Sequence, residues 1–106
     1  MGRMVIACYR PQPGQQAALA DCVRDHLPLL RRLGLATARP ALLLRAADGT
    51  LLEIFEWVSE AAVERAHHDP QVAALWERFA AACDFVPMAD VPGSGEVFAH
   101  FDPADD

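Results

Sequence analysis

PALLLRAADGTLLEIFEW, residues 40–57, reads as two strands joined by a tight turn. The turn centres on Asp48-Gly49, a dipeptide whose glycine accepts the positive φ that short hairpin turns demand. The second strand spans Leu51 to Trp57. Its alternation puts Leu51, Glu53, Phe55 and Trp57 on one face and Leu52, Ile54 and Glu56 on the other. Both faces carry large apolar groups, so both are expected to be covered. The chain then passes into a helix with no linker. Ser59 is its expected N-cap, and Glu60 and Glu64 sit near its positive end.

Before the hairpin, MVIACY (residues 4–9) is a short apolar run stopped by RPQPG, and reads as a buried strand. A helix from about Gln15 to Leu33 follows. Leu19, Val23, His26, Leu30 and Leu33 fall on one face of it. Pro28 predicts a kink, because it removes a backbone donor and crowds the carbonyl four residues earlier. Gly34 is placed to form a left-handed cap. Beyond the hairpin, Asp69-Pro70 restarts the chain as a third helix, with Asp as N-cap and Pro at the first helical position. Val72, Leu75, Trp76, Phe79 and Cys83 form its apolar stripe. Residues 84–95 read as a long connection punctuated by Pro and Gly. EVFAHF, residues 96–101, reads as the last strand, ahead of a frayed acidic tail.

The order strand, helix, two hairpin strands, broken helix, strand predicts an α+β domain over residues 1–106. It is the ferredoxin-like βαββαβ arrangement with an antiparallel sheet. Helices in that arrangement cover one sheet face. A second subunit's sheet is the expected cover for the other, which makes the chain a homodimer.

Composition narrows the partners. The 106 residues are 53% hydrophobic, a surplus for one small domain that agrees with self-association. The formal charge is −6, and all nine basic residues are Arg. This acidic balance argues against nucleic acid or an anionic membrane as partner. No apolar run approaches the roughly 20 residues of a membrane span, and no signal-peptide pattern opens the chain. Cys8, Cys22 and Cys83 are odd in number and widely spaced. They read as reduced thiols in a cytoplasmic protein, neither disulfides nor metal ligands. No serine or cysteine sits in a nucleophile frame, and PGSG (92–95) is no phosphate loop.

Topology, length and the string W-x-S-x-x-A…A-H-x-x-P (Trp57, Ser59, Ala62, Ala66, His67, Pro70) together resemble the dimeric α/β-barrel superfamily, nearest its antibiotic-biosynthesis-monooxygenase-like branch. The resemblance implies two sheets packed face to face across a two-fold axis, with one pocket per protomer between sheet and helices. Some relatives oxidise quinol-like aromatics without cofactor, some degrade haem, and many have no assigned activity. Two departures stand out. The cofactor-free oxygenases carry an Asn four residues before the Trp, where this chain has Glu53. The haem-degrading branch places an axial His at the position aligned with Glu77, and no His lies between His68 and His100. Haem degradation is therefore disfavoured, and no cofactor is expected.

The candidate site follows. Trp57 serves either as a core plug or as pocket lining. Glu53 shares its face. An acid there either pairs with Arg39 or Arg45, or stays isolated and protonated, ready for proton transfer. His67 lies on the apolar side of the second helix and His26 on that of the first, so both imidazoles are expected to close one cavity above Glu53 and Trp57. His68 points away and is expected in solvent, so His67-His68 is no metal pair. Tyr9 can offer its phenol to a ligand or cover the end of the sheet. Glu53 and His67 are the catalytic candidates, and Trp57, His26 and Tyr9 the ligand-binding ones. A small aromatic or quinol-like substrate is the enzyme reading; non-catalytic ligand binding is the alternative.

Overall fold

The computed structural model describes residues 2–104. Strand β1 (Arg3–Pro11) leads into helix α1 (Gln16–Arg32). The hairpin β2 (Leu42–Arg45) and β3 (Leu51–Trp57) follows, then α2 (Glu60–Ala66) and α3 (Pro70–Ala82). Two short strands, β4 (Cys83–Phe85) and β5 (Asp102–Pro103), complete a five-stranded antiparallel sheet of order β4-β1-β3-β2-β5.

Local chemistry fixes the ends of these elements. Gly49 takes φ +90° in the hairpin turn, where a Cβ would be strained. Gly34 takes φ +74°, and the backbone N–H of Leu35 donates to the Leu30 carbonyl at 2.8 Å, closing α1 with a Schellman motif. The Ser59 hydroxyl accepts from the Ala62 N–H at 3.1 Å, and one Asp69 oxygen accepts from both Gln71 and Val72. Pro28 lies inside α1 without ending it.

The last strand differs from the sequence reading. Residues 96–101 form turns and irregular chain, while the fourth strand is Cys83–Phe85, directly after α3. An apolar-polar-apolar triplet at a helix end is indistinguishable from one more helical turn in sequence. Here Gln12 donates to the Ala82 carbonyl at 2.9 Å, and β1 offers its free edge to residues 83–85.

The two sheet faces are covered unequally. On one, Val5, Ala7, Tyr9, Leu43, Leu51, Phe55 and Trp57 meet α1 and α3 in the main core. On the other, Cys8 and Leu52 are covered by Val86, Val91 and Phe101 of the C-terminal segment. Met4 (53%), Ile6 (45%) and Leu42 (57%) on that outer face remain exposed. The expectation that both faces are covered thus holds within the chain only for the first. The C-terminal segment reaches one end of the second.

One buried group lacks a partner. Thr50 is fully enclosed at the head of β3, and its Oγ1 makes no hydrogen bond among the described residues. An orphaned buried hydroxyl costs about 1 kcal/mol or more. Thr50→Val, which keeps the shape, is therefore expected to raise stability by about 1 kcal/mol, read as a higher urea midpoint.

Candidate functional site: a buried Tyr-Glu-His-Trp chain beside an aromatic cavity

The site begins with strand register. Ala7 pairs with Glu53 and Tyr9 with Leu51, so Tyr9 and Glu53 are diagonal neighbours on the helix-facing side. Ala7 is small, which leaves room above Glu53. The Tyr9 hydroxyl fills part of that room and donates to Glu53 Oε1 at 2.8 Å. Helix α1 crosses the same face and lowers His26 onto the same oxygen, with Nδ1 at 2.9 Å. Glu53 is only 2% exposed and His26 3%.

Helix α3 supplies the fourth member. The Trp76 indole N–H meets His26 Nε2 at 3.3 Å. An indole nitrogen can only donate, so Nε2 must accept and the His26 proton sits on Nδ1, directed at Glu53. The network thereby assigns a neutral imidazole whose tautomer is set from both sides. It runs Tyr9 to Glu53, His26 to Glu53, Trp76 to His26. Burial, followed by the Glu53 carboxylate, drives the Tyr9 phenol well above its ordinary value of 10.0. Tyr9 therefore stays a donor at any physiological pH.

Beside the chain lies a cavity of about 310 Å³ lined by Val5, Ala7, Tyr9, His26, Phe55, Trp57, Trp76, Phe79 and Phe85. Its walls are almost wholly carbon. Tyr9, His26, Phe55, Trp57 and Phe79 are buried, while the half-buried Val5, Ala7 and Trp76 and the exposed Phe85 form its mouth. β4 pairs with Tyr9 to Pro11, and the Val86 N–H extends the contact by donating to the Cys8 carbonyl at 3.1 Å. Tyr9 and Phe79 meet in a tilted pair with ring centroids 4.8 Å apart, and Phe55 and Trp57 in another at 5.2 Å. A larger groove between α1 and α3, about 450 Å³, is shallow, and its Arg78 already pairs with Asp25 at 3.1 Å. It brings together no comparable buried polar groups.

Four of the five candidates from sequence therefore converge: Tyr9, His26, Glu53 and Trp57. His67 does not. It is exposed at the C-cap of α2 and packs edge-on against the outer side of Trp76, with ring centroids 5.2 Å apart. His67 keeps helical backbone at the C-cap (φ −65°, ψ −15°), and the place beside His26 Nε2 is taken by the Trp76 indole of α3. Nor does Glu53 pair with an arginine: Arg39 bonds Glu56 on the opposite strand face at 3.0 Å. His68 lies in solvent, 3.1 Å from Glu64. Trp76 and Phe79 read as core residues in sequence. Their three-residue spacing on α3 held the missed signal, since it carries both rings to the same wall.

No group of three or more His, Cys, Asp or Glu able to hold a metal occurs among the described residues, and no helix among them is long and apolar enough to cross a membrane. The three cysteines are free and buried. No protein-family model and no curated protein matches the chain.

Alkali should unlock this site. The unfolded phenol titrates near 10.0, below the folded Tyr9, so the Tyr9 contribution is present below pH 10 and lost as pH rises beyond it. Burial likewise lifts Cys83 from 9.0 to about 11, adding a loss that begins near pH 9. In both cases the unfolded state sheds its proton first, so stability must fall with pH. Tyr9 is the sole tyrosine. Tyrosinate absorbance is thus expected to appear only together with unfolding, with no separate titration near pH 10.

Proposed function

We propose that this chain binds a flat, largely apolar aromatic molecule of one or two rings in the cavity beside His26. The observation that carries the reading is the pairing of an aromatic-lined cavity of about 310 Å³ with a buried imidazole backed by a carboxylate. Ligand pockets are concave, mainly apolar and furnished with few polar groups, and this cavity is at the small end of their range. A His backed by Glu is also the arrangement of a general base. Nε2 can take a proton from a ligand hydroxyl while Glu53 steadies the resulting imidazolium.

The finer reading is a ferredoxin-like βαββαβ domain of the dimeric α/β-barrel kind, close to the antibiotic-biosynthesis-monooxygenase-like proteins. A quinol-like substrate deprotonated by His26 would be electron-rich enough to react with dioxygen without a cofactor. The dimer is supported by the exposed Met4, Ile6 and Leu42 on the helix-free face. Binding without turnover is the second reading. It is favoured by the closure of the hydrogen-bond chain upon itself, which engages both His26 nitrogens.

Sedimentation at micromolar concentration is expected to give about twice 11.6 kDa. Calorimetry with 2-naphthol is expected to show one site per protomer. An oxygen electrode with a naphthohydroquinone then separates turnover from binding. A stable monomer removes the barrel, and absence of any aromatic binding removes the ligand reading.

A further inference from the structure

We infer that Trp76 is the specificity gate of this cavity, masking His26 Nε2 until a ligand hydroxyl takes its place. The inference rests on the reading of the cavity as a binding site. The polar side-chain atoms at the cavity are all engaged with one another or with Glu53: the Tyr9 hydroxyl, both His26 nitrogens and the Trp76 N–H. A ligand donor gains a partner only by breaking one of these bonds.

The bonds are unequal. The two to Glu53 measure 2.8 and 2.9 Å and are fully buried between strand and helix. The Trp76 bond measures 3.3 Å, is partly buried, and joins two neutral rings. Hydrogen bonds to a charged oxygen are shorter and roughly twice as strong as neutral ones, so the Trp76 bond is the one to exchange. Trp76 is also the chain's only member at the cavity mouth, flanked outside by the exposed His67 ring. Its indole can turn outward and find water for its N–H. Tyr9, 4% exposed, has no such alternative.

The exchange sets selectivity. The unmasked atom is an acceptor, so an aromatic with one O–H replaces the lost bond and a methyl ether does not. Trp76→Phe retains a ring at the mouth and deletes the competing donor. It is expected to tighten 2-naphthol binding about three- to tenfold relative to 2-methoxynaphthalene, the worth of one neutral hydrogen bond, the ether reporting the change in ring packing alone. Wild-type protein supplies a test free of any folding defect. The nitrogen-15 imidazole spectrum of His26 should report an Nδ1–H tautomer before and after ligand addition, with the Nε2 resonance moved by 2-naphthol and not by its ether. If both compounds bind, gain equally or not at all from Trp76→Phe and leave Nε2 unmoved, the gate is overturned while the binding reading stands. If neither binds wild type or variant, the binding reading itself has failed and the gate falls with it.

Discussion

Glu53→Ala is expected to cost about 2 to 4 kcal/mol, a large share of the roughly 5 to 15 kcal/mol that stabilises a domain of this size. The substitution leaves two buried donors without an acceptor, the Tyr9 hydroxyl and His26 Nδ1–H. Each orphaned group costs about 1 to 3 kcal/mol, and relief from burying a carboxylate offsets part of the sum. Glu53→Gln keeps an acceptor oxygen at the same place and loses only the charge-assisted part, so about 1 to 2 kcal/mol is expected. Thermal unfolding checks the pair: a drop of roughly 10 to 20 °C for Ala and about half that for Gln. Equal, small effects from both would mean that the chain of bonds contributes little to folding. Because the Gln variant retains the fold, it also isolates function. Loss of the carboxylate behind His26 should weaken any proton abstraction more than it weakens binding.

Phe79→Ala is the second large effect. Phe79 is completely buried, packs against Tyr9 in a tilted pair at 4.8 Å and meets His26 edge-on at 5.2 Å. Truncating a buried Phe costs about 3 to 5 kcal/mol through lost transfer energy and the cavity left behind. Here the vacated space adjoins the existing cavity, so little collapse can refill it, and the upper half of that range is expected. Urea unfolding should show the loss as a lower midpoint with an unchanged slope. The enlarged cavity should in turn accept naphthalene, which stabilises the variant more than the wild type through binding to the folded state alone. An unaltered midpoint would place Phe79 outside the core that holds the site.

Much of the fold was legible because its signals are local. Asp48-Gly49 announces a hairpin, Ser59 and Asp69-Pro70 announce helix starts, and Gly34 announces a helix end, each through backbone chemistry confined to a few residues. The alternation of β3 placed Glu53, Phe55 and Trp57 on one face, and the helical period of α1 placed His26 on the face that covers it. By contrast, Cys83–Phe85 carries no periodic signal of its own and becomes a strand only because β1 presents an unpaired edge beside it. EVFAHF alternates plausibly, yet β2 pairs instead with Asp102 and Pro103, so residues 96–101 have no ladder to join.

The sequence by itself determined which side chains share a face of each strand and helix. That depends on periods of two and 3.6 residues, which any reader can count. Only the tertiary structure decided which of them meet. Glu53 could have met an arginine on the next strand; strand register and the position of α1 gave it Tyr9 and His26 instead. His67 could have closed the cavity, but α3 puts Trp76 against His26 there, and His67 lies outside it, exposed. Partnership across 27, 44 or 50 residues is set by how rigid elements dock, and a hydrogen bond forms or fails within a few tenths of an ångström. No local pattern carries that information.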